Sequence, residues 1–481
     1  MKILLILLLL PLLAIRFLRW LAIVQQKEYR LDRLWAFLQT EEGQNQLLKI
    51  VPQKADLTKT GLKRPVITPR VLSVAGVTSL LILFKLYLLW QLQIWLLVVA
   101  LFLLLCLLPI YIFIGIVPSV LGFWFVFKKE QYQAKNLIKK HHPFVIGITG
   151  SYGKTSTKLL LQHVLAQHQP CFASQKSFNT RYSLPKDINQ RYQGEEWVVL
   201  EYAAYKPGEI AALAELFPPD LAVITGLTVQ HLAIFKSKEN IVRAKAELVK
   251  ALPQQGKVFI NGQDPGTLQI AEAGQADLIK VFTDLSELQN ICLNSQGELS
   301  FTWKDKEIQT QLIGEHYLAA VQACITVGEE LGLSDEEIRQ GLESFAPPEY
   351  MVQTVELKTG VLVIDDGRSC NPVGFKAALN LAEKLQRIRQ KRVVLATAGI
   401  VDLAEKEVSI HLDLAKLAQD FVQQVFYFGQ PGQEQFKQVF TDGLFTDREK
   451  IKQQLASLGK DDILLLEGKI PLDIKKFIKG L

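Results

Sequence analysis

The sequence predicts an α/β protein carried behind a set of N-terminal transmembrane helices. Three observations predict it. Apolar residues make up 49% of the 481 residues, and the excess sits before about residue 127. From Gln131 onward, short apolar runs alternate with helix-patterned segments, as in a wound parallel sheet. The first of those runs, Phe144 to Ile148, enters a glycine-rich turn and leaves it through the helix-like Lys154 to Leu161. That is the context a phosphate-binding loop requires.

The apolar excess falls in three stretches. The first runs from Ile3 to Val24 and is interrupted by Arg16 and Arg19. The second runs from Val71 to Trp90 with Lys85 inside it, and the third from Ile94 to about Phe127 with Pro109 and Pro118 within. A spanning helix needs about 20 apolar residues, so the third stretch reads as one long kinked span or two short ones. A cleaved signal peptide competes for the first stretch, but no small-residue cleavage site follows and further apolar stretches lie downstream. Lys27, Arg30, Arg33, Lys49, Lys54, Lys63, Arg64 and Arg70 crowd the segment between the first two stretches. Lys128, Lys129, Lys135, Lys139 and Lys140 follow the third. The positive-inside rule puts both basic segments in the cytoplasm, which three spans satisfy with the N-terminus outside.

The expected layout is a membrane region over 1–130 with a basic cytoplasmic loop over 25–70, then a central P-loop domain over 131–345. A C-terminal Rossmann-like α/β domain over 346–481 completes it. The expected location is the plasma (inner) membrane, multi-pass, with both α/β domains cytoplasmic. The net charge of +6 is modest and its Lys/Arg excess flanks the apolar stretches, which argues for membrane topology and against a nucleic-acid partner. Five cysteines, Cys106, Cys171, Cys292, Cys324 and Cys370, have no metal-type spacing and suit a reduced compartment.

The loop reads Gly150-Ser151-Tyr152-Gly153-Lys154-Thr155-Ser156. Glycines let backbone N–H groups wrap phosphates at a helix N-terminus, where the helix dipole favours anions. Lys154 would reach the β- and γ-phosphates of ATP, and Thr155 or Ser156 would offer an oxygen to Mg²⁺. The strict pattern would want glycine where Ile148 stands. A chance Gly-Lys-Thr in a loop is the bland alternative, and the flanking strand and helix signals weigh against it.

These residues resemble the ATP loop of the Mur ligase family. Later segments follow in that family's order, closest to its D-alanyl-D-alanine-adding branch. They are Phe178-Asn179-Thr180-Arg181-Tyr182-Ser183-Leu184-Pro185, then Val198-Val199-Leu200-Glu201-Tyr202-Ala203 with Pro207-Gly208-Glu209-Ile210. Pro219-Asp220-Leu221-Ala222-Val223-Ile224-Thr225 follows, with His231-Leu232, Ser237 to Ile241 and Ala244 to Leu248. The resemblance covers roughly residues 144–475. It implies an ATP-dependent, ADP-forming amide ligase of peptidoglycan synthesis that works through an acyl phosphate with ATP and Mg²⁺. Its implied substrates are a muramyl-peptide precursor and D-alanyl-D-alanine. It further implies metal-ligand roles for Thr155, Glu201, His231 and Lys245, the lysine after carbamoylation by CO₂. A lysine reacts with CO₂ only as the neutral amine, so a lowered pKa is expected there. Read without the family, Glu201 is a strand-end glutamate, His231 a structural histidine, and Lys245 part of a charged helix face.

In the C-terminal half, Gly314-Glu315-His316-Tyr317-Leu318-Ala319-Ala320 resembles the family's nucleotide-holding segment, with Tyr317 and Ala320 where asparagines are usual. Ala346-Pro347-Pro348 marks the junction to the last domain, and Tyr350-Met351 stand where an arginine is expected. Val363 to Pro372 resembles the family's Asp-Asp…Asn-Pro signature, which assigns Asp365, Asp366 and Asn371 to the nucleotide or the incoming amine; Arg368 replaces a usual tyrosine. Strands are expected at 392–396, 424–428 and 463–466, which places Asp365, Asp366 and Glu467-Gly468-Lys469 at strand C-terminal ends. The family's UDP-binding domain has membrane stretches in its place, which raises a lipid-linked acceptor. The bilayer and other cell-wall synthesis enzymes are then expected partners. The rival readings are a Mur-like ligase for another or lipid-linked cell-envelope polymer, and a degenerate non-catalytic membrane scaffold. Joint retention of Lys154, Thr155, Glu201, His231 and Lys245 argues against the scaffold.

Overall fold

In the computed structural model the chain divides into two units, residues 1–130 and 131–481. The structure describes all residues except 1, 28, 30, 40, 51–63, 91–92, 229–234, 236, 276–277, 283–286, 368–370, 402 and 481.

The first unit is helical: α1 (Lys2–Gln26), α2 (Leu31–Leu38), α3 (Glu41–Leu48), α4 (Pro69–Leu89) and α5, which runs as one helix over Ile94–His141 into the second unit. The segment expected to be a basic loop therefore contains two short helices. α2 has Leu34 and Phe37 one turn apart, and both are buried with Trp20, Ile23 and Val24 of α1. The charges drew attention away from that narrow apolar stripe. α4 starts where Thr68 accepts a hydrogen bond from the Val71 N–H, with Pro69 opening the helix. α5 continues through Pro109 and Pro118 over 48 residues, which settles the third apolar stretch as one helix. Among the described residues, α1, α4 and α5 contain three segments long and apolar enough to cross a membrane, by length and composition.

The second unit is built on two parallel sheets. Six strands, β1 (Phe144–Thr149), β2 (Cys171–Ala173), β3 (Trp197–Glu201), β4 (Leu221–Ile224), β5 (Lys257–Ile260) and β6 (Leu278–Val281), pair in parallel in the order β2-β3-β1-β4-β5-β6. β1 to β4 are almost wholly buried because helices cover both faces, which is why they read as continuous apolar runs rather than alternating ones. Ile146, Ile148 and Val199 enter the core on one face, and Val145, Val198 and Leu200 enter the core on the other. An antiparallel meander follows: β7 (Leu288–Leu293), β8 (Glu298–Trp303) and β9 (Lys306–Ile313).

The second large sheet contains β10 (Gln353–Glu356), β11 (Leu362–Asp366), β12 (Arg392–Thr397), β13 (Val422–Tyr427), β14 (Leu444–Phe445) and β15 (Asp462–Glu467). Its order is β10-β11-β15-β12-β13-β14, with only β10 antiparallel. The runs expected at 392–396, 424–428 and 463–466 become β12, β13 and β15. β11 and β15 lie side by side in a register that pairs Asp366 with Glu467.

The helix that follows β1, α6 (Lys154–Leu165), is held from behind by helix Asp335–Ser344, which opens with a capping box between Ser334 and Glu337. The two helices approach closely at Gly341, where an added Cβ would lie 2.7 Å from the Val164 Cα. Alanine normally favours a helix over glycine by about 1 kcal/mol. Here the clash is with backbone, so Gly341→Ala is expected to destabilise the fold by about 1–3 kcal/mol. A urea midpoint unchanged or raised in the variant would show that α6 is not seated this tightly.

Candidate active site

β1 runs out at Thr149, and the chain turns through Gly150 to Gly153 before α6 begins at Lys154. Gly153 caps the helix with φ of 75°, a left-handed conformation that side chains resist. The loop is fastened from several sides. Ser151 N–H donates to the Gly226 carbonyl at 2.7 Å, and the Thr225 hydroxyl donates to the Tyr152 carbonyl. The Tyr152 hydroxyl donates to Asp264 Oδ2 at 2.8 Å. Asp264 in turn caps helix Pro265–Ala273 through Gly266 N–H and accepts the Leu227 N–H at 2.6 Å. The Tyr152 ring lies against Gly226, where any Cβ would come within 2.2 Å of it. The loop is thus held in shape by the protein's own hydrogen bonds.

The charged groups converge just behind it. Lys154 Nζ donates to the Gly150 carbonyl at 2.9 Å, and Lys245 Nζ donates to the same oxygen at 2.7 Å. Lys245 projects from helix Lys238–Lys250 and is 5% exposed. Burial drives its pKa well below the usual ammonium range, the neighbouring Lys154 charge pushes the same way, and Glu201 opposes both. Burial lowers the Lys154 pKa too. Glu201, the last residue of β3, is buried and accepts the Thr155 hydroxyl at 2.9 Å on Oε2 and the Asn179 amide at 2.8 Å on Oε1. Lys158 Nζ stands 3.5 Å from Oε2, and donates also to Ser174 Oγ at 3.3 Å and to the Lys176 carbonyl.

Two cavities meet at the loop. One of about 280 Å³ is lined by Glu201, Lys245, Asn179, Thr155, Lys154 and Gly150, among others. The other, about 510 Å³, runs from the loop and the start of α6 to His316, Tyr317, Asp366 and Asn371. Ser151, Lys154, Thr155 and Ser177 line both, so the loop end of α6 is their shared wall. Lys154 and Thr155 therefore stand between the two cavities. The smaller cavity also offers hard oxygen donors, the Glu201 carboxylate and the Thr155 hydroxyl, directly beside the phosphate loop. That donor set fits Mg²⁺.

Most of the residues singled out in the sequence are brought together here: Gly150 to Ser156, Glu201 and Lys245 around the loop, and His316, Asp366 and Asn371 across the larger cleft. Asn371 faces the cleft while its Oδ1 caps helix Pro372–Arg389 through Val373 N–H and Gly374 N–H. Asp365 does not line either cavity; its carboxylate pairs with Lys475 at 2.9 and 3.2 Å. His231 lies outside the described residues, as does Arg368.

The Mur ligase middle domain profile matches residues 148–328, the stretch that holds the loop, Glu201 and Lys245. The UDP-N-acetylmuramoyl-tripeptide–D-alanyl-D-alanine ligase of Bacillus subtilis (strain 168) is 27% identical over 362 residues, 73% of this chain and 78% of the relative. Residues 148–328 thus carry a Mur ligase middle domain. The enzyme of the same name from Mycobacterium tuberculosis (strain ATCC 25618 / H37Rv) is 32% identical over 287 residues, and the match spans 57% of this chain and 56% of that relative. Among solved structures, the MurF ligase of Thermotoga maritima in complex with ADP superposes with a TM-score of 0.63 at 23% identity, covering 74% of this chain and 83% of the other. MurF from Acinetobacter baumannii gives 0.63 at 22% identity, with 73% and 78% covered. These two likenesses show that the second unit has the Mur ligase fold.

Against that family pattern, Tyr317 takes an asparagine's place and is buried, its hydroxyl accepting the Val352 N–H at 3.3 Å. Asp366 is the other unusual group at this site. Burial, then the Asp365 carboxylate, raise its pKa to about 7, while a hydrogen bond with Glu467 and the Lys475 charge pull it down. Unfolded, an aspartate titrates near about 3.9, so between those values the folded protein holds an extra proton. Stability contributed by that proton is present at low pH and lost as pH rises through about 7. Asp366→Asn is therefore expected to melt higher than the parent at pH 8 and level with it at pH 4. A melting difference that stays constant across that range would remove the argument.

Lys158 and Asp264, which hold Glu201 and the loop, were passed over by sequence reasoning, and Asn179 stood in a quoted segment without a role. Lys158 had a legible signal, since it falls one helical turn after Lys154 and shares its face.

Proposed function

We propose that this Mur ligase joins D-alanyl-D-alanine to the terminal carboxylate of a UDP-N-acetylmuramoyl tripeptide, with ATP cleaved to ADP and phosphate, in peptidoglycan synthesis. The observation that carries this is the Thr155–Glu201 hydrogen bond, set between Lys154 and Lys245 on the wall that two cavities share. An inert carboxylate reacts with an amine only once activated. Its oxygen attacks the γ-phosphorus of ATP, ADP leaves, and an acyl phosphate forms. The amine then attacks the acyl carbon, phosphate leaves, and the amine's surplus proton is lost.

The chain's part is placement and charge neutralisation. Loop N–H groups and Lys154 hold the β- and γ-phosphates at the α6 N-terminus. Glu201 and Thr155 would hold Mg²⁺, joined by Lys245 once carbamoylated; the bound metal neutralises charge that builds on the transferring phosphoryl group. Asp366, Asn371 and His316 line the cleft on the side of the nucleotide. We further propose a layout of 1–130 for a membrane region, 131–345 for the central ligase domain and 346–481 for the C-terminal one, with both ligase domains on the cytoplasmic side. Three helices of sufficient length and apolarity, followed by Lys128, Lys129, Lys135, Lys139 and Lys140, support that placement.

The experiment is phosphate release from ATP by the full-length enzyme in detergent, with Mg²⁺, UDP-muramyl tripeptide and D-alanyl-D-alanine, and a Lys154→Ala control. Release that needs both substrates and vanishes in the control is the expected result. Release only with a lipid-linked muramyl peptide would replace the soluble acceptor, and no release with either would overturn the reading.

A further inference from the structure

We propose that Lys176 is a further catalytic residue, whose ammonium binds the terminal phosphates of ATP and neutralises charge as the γ-phosphoryl group leaves ADP. The proposal rests on the reading of the larger cleft as the nucleotide site. Lys176 lines that cleft together with the loop residues Ser151 to Thr157, and it is absent from the lining of the smaller cavity. It therefore stands on the side of the nucleotide rather than of the acceptor. Among the described residues its ammonium has no carboxylate partner and donates no hydrogen bond. The other lysines around the loop are committed: Lys154 and Lys245 donate to the Gly150 carbonyl, and Lys158 faces Glu201. An uncompensated cation beside a phosphate-binding loop attracts the anionic oxygens of a ligand.

The backbone around Lys176 holds it in that place. Its φ of 46° lies in the left-handed region, which a residue other than glycine resists. Contacts on its neighbours keep that conformation. The buried Lys158 Nζ donates to the Lys176 carbonyl and, at 3.3 Å, to Ser174 Oγ. Gln175 N–H donates to Asp187 Oδ2 at 2.8 Å. Arg191 fastens that buried aspartate through two donors and gives a third hydrogen bond to the Ala173 carbonyl at 2.7 Å. Phe178 N–H closes the turn onto the Gln175 carbonyl at 2.9 Å. Ser177 Oγ lies 3.5 Å from the Thr155 hydroxyl, and the Asn179 amide reaches Glu201. Residues 174–179 thus form an arm fastened to the site, with the Lys176 side chain left to the cleft. When the acceptor's carboxylate oxygen attacks the γ-phosphorus, the bond to the β-phosphate breaks and its electron pair stays on ADP. A cation at those oxygens favours that redistribution of charge, as a basic residue supplied in cis does in other phosphoryl transfers.

The test compares the full-length enzyme in detergent with Mg²⁺ with its Lys176→Gly and Lys176→Arg variants. Glycine suits a positive φ, so Lys176→Gly removes the ammonium and leaves the arm its conformation. Binding is read by displacement of fluorescent N-methylanthraniloyl-ATP with ATP and with AMP, which lacks the terminal phosphates. ATP is expected to bind Lys176→Gly about tenfold more weakly than the parent, and AMP to bind both equally. Lys176→Arg keeps the charge and should stay within about threefold of the parent for ATP. Turnover with muramyl tripeptide and D-alanyl-D-alanine should fall about tenfold to a hundredfold in Lys176→Gly and largely return in Lys176→Arg. Parent-like ATP binding and turnover in Lys176→Gly would overturn the proposal. So would equal weakening of ATP and AMP, or a Lys176→Arg variant as impaired as Lys176→Gly, since either makes the shape of the arm the cause and not its charge. The binding measurement needs no acceptor. A parent that binds ATP but ligates nothing would therefore sink the substrate reading and leave Lys176 to be judged on the phosphates. A parent that binds neither nucleotide would remove the nucleotide site and this proposal with it.

Discussion

Lys245→Ala is expected to lower ligase turnover by about a thousandfold or more while leaving ATP binding nearly unchanged. The split follows from position. Lys245 lines the smaller cavity with Glu201 and Thr155 and has no place in the larger cleft, so its loss reaches the reacting phosphate rather than the nucleotide body. It also follows from charge. A permanent ammonium at 5% exposure, sharing the Gly150 carbonyl with Lys154, would place two cations on one oxygen. Burial and Lys154 both lower its pKa, which raises the share of free amine able to add CO₂. A carbamate there would reverse the sign of the group and turn it into an oxygen ligand. Activity should therefore fall in CO₂-depleted buffer and return with bicarbonate, and Lys245→Met should show no bicarbonate response. Full activity in Lys245→Ala, or parent activity indifferent to CO₂, would sink this role.

The phosphate loop and the strand that ends in Glu201 were legible because their signals are local. An apolar run, a glycine turn and a helix start follow one another within about twenty residues, and β3 ends where its apolar run ends. Partners across the fold were not. Tyr152 and Asp264 are 112 residues apart, and only the parallel order of β1, β4 and β5 brings their loops together. Lys158 read as one more residue of a helix, since nothing local shows that its amine meets Glu201 at the end of β3. The aspartate pair shows a finer limit. Adjacent strand residues point to opposite faces, so one of Asp365 and Asp366 had to turn from the cleft. Lys475, on a helix more than a hundred residues on, takes Asp365. α2 and α3 were missed for the opposite reason, because the density of Lys and Arg in 25–70 concealed the Leu34–Phe37 stripe.

Glu201→Gln tests the centre of the site, because size is kept and only charge is lost. Turnover is expected to fall about a hundredfold to a thousandfold, with more Mg²⁺ needed for half-maximal rate. The variant should also be less stable, since Lys158 is left buried without its counter-charge; breaking such a pair costs about 3–5 kcal/mol. Both partners are almost fully enclosed, at 0% and 2% side-chain exposure, so solvent screening offers little relief. The two effects separate in a double variant. Lys158→Met with Glu201→Gln removes the stranded cation and should regain much of the lost stability, because a buried pair can be replaced by apolar bulk at little cost. It should regain no turnover, since the oxygen ligand beside Thr155 is still gone. A double variant that recovered activity together with stability would mean that Glu201 only holds the fold and that the metal is bound elsewhere. Parent-like Mg²⁺ dependence in Glu201→Gln alone would say the same, and would move the search to the residues around His231.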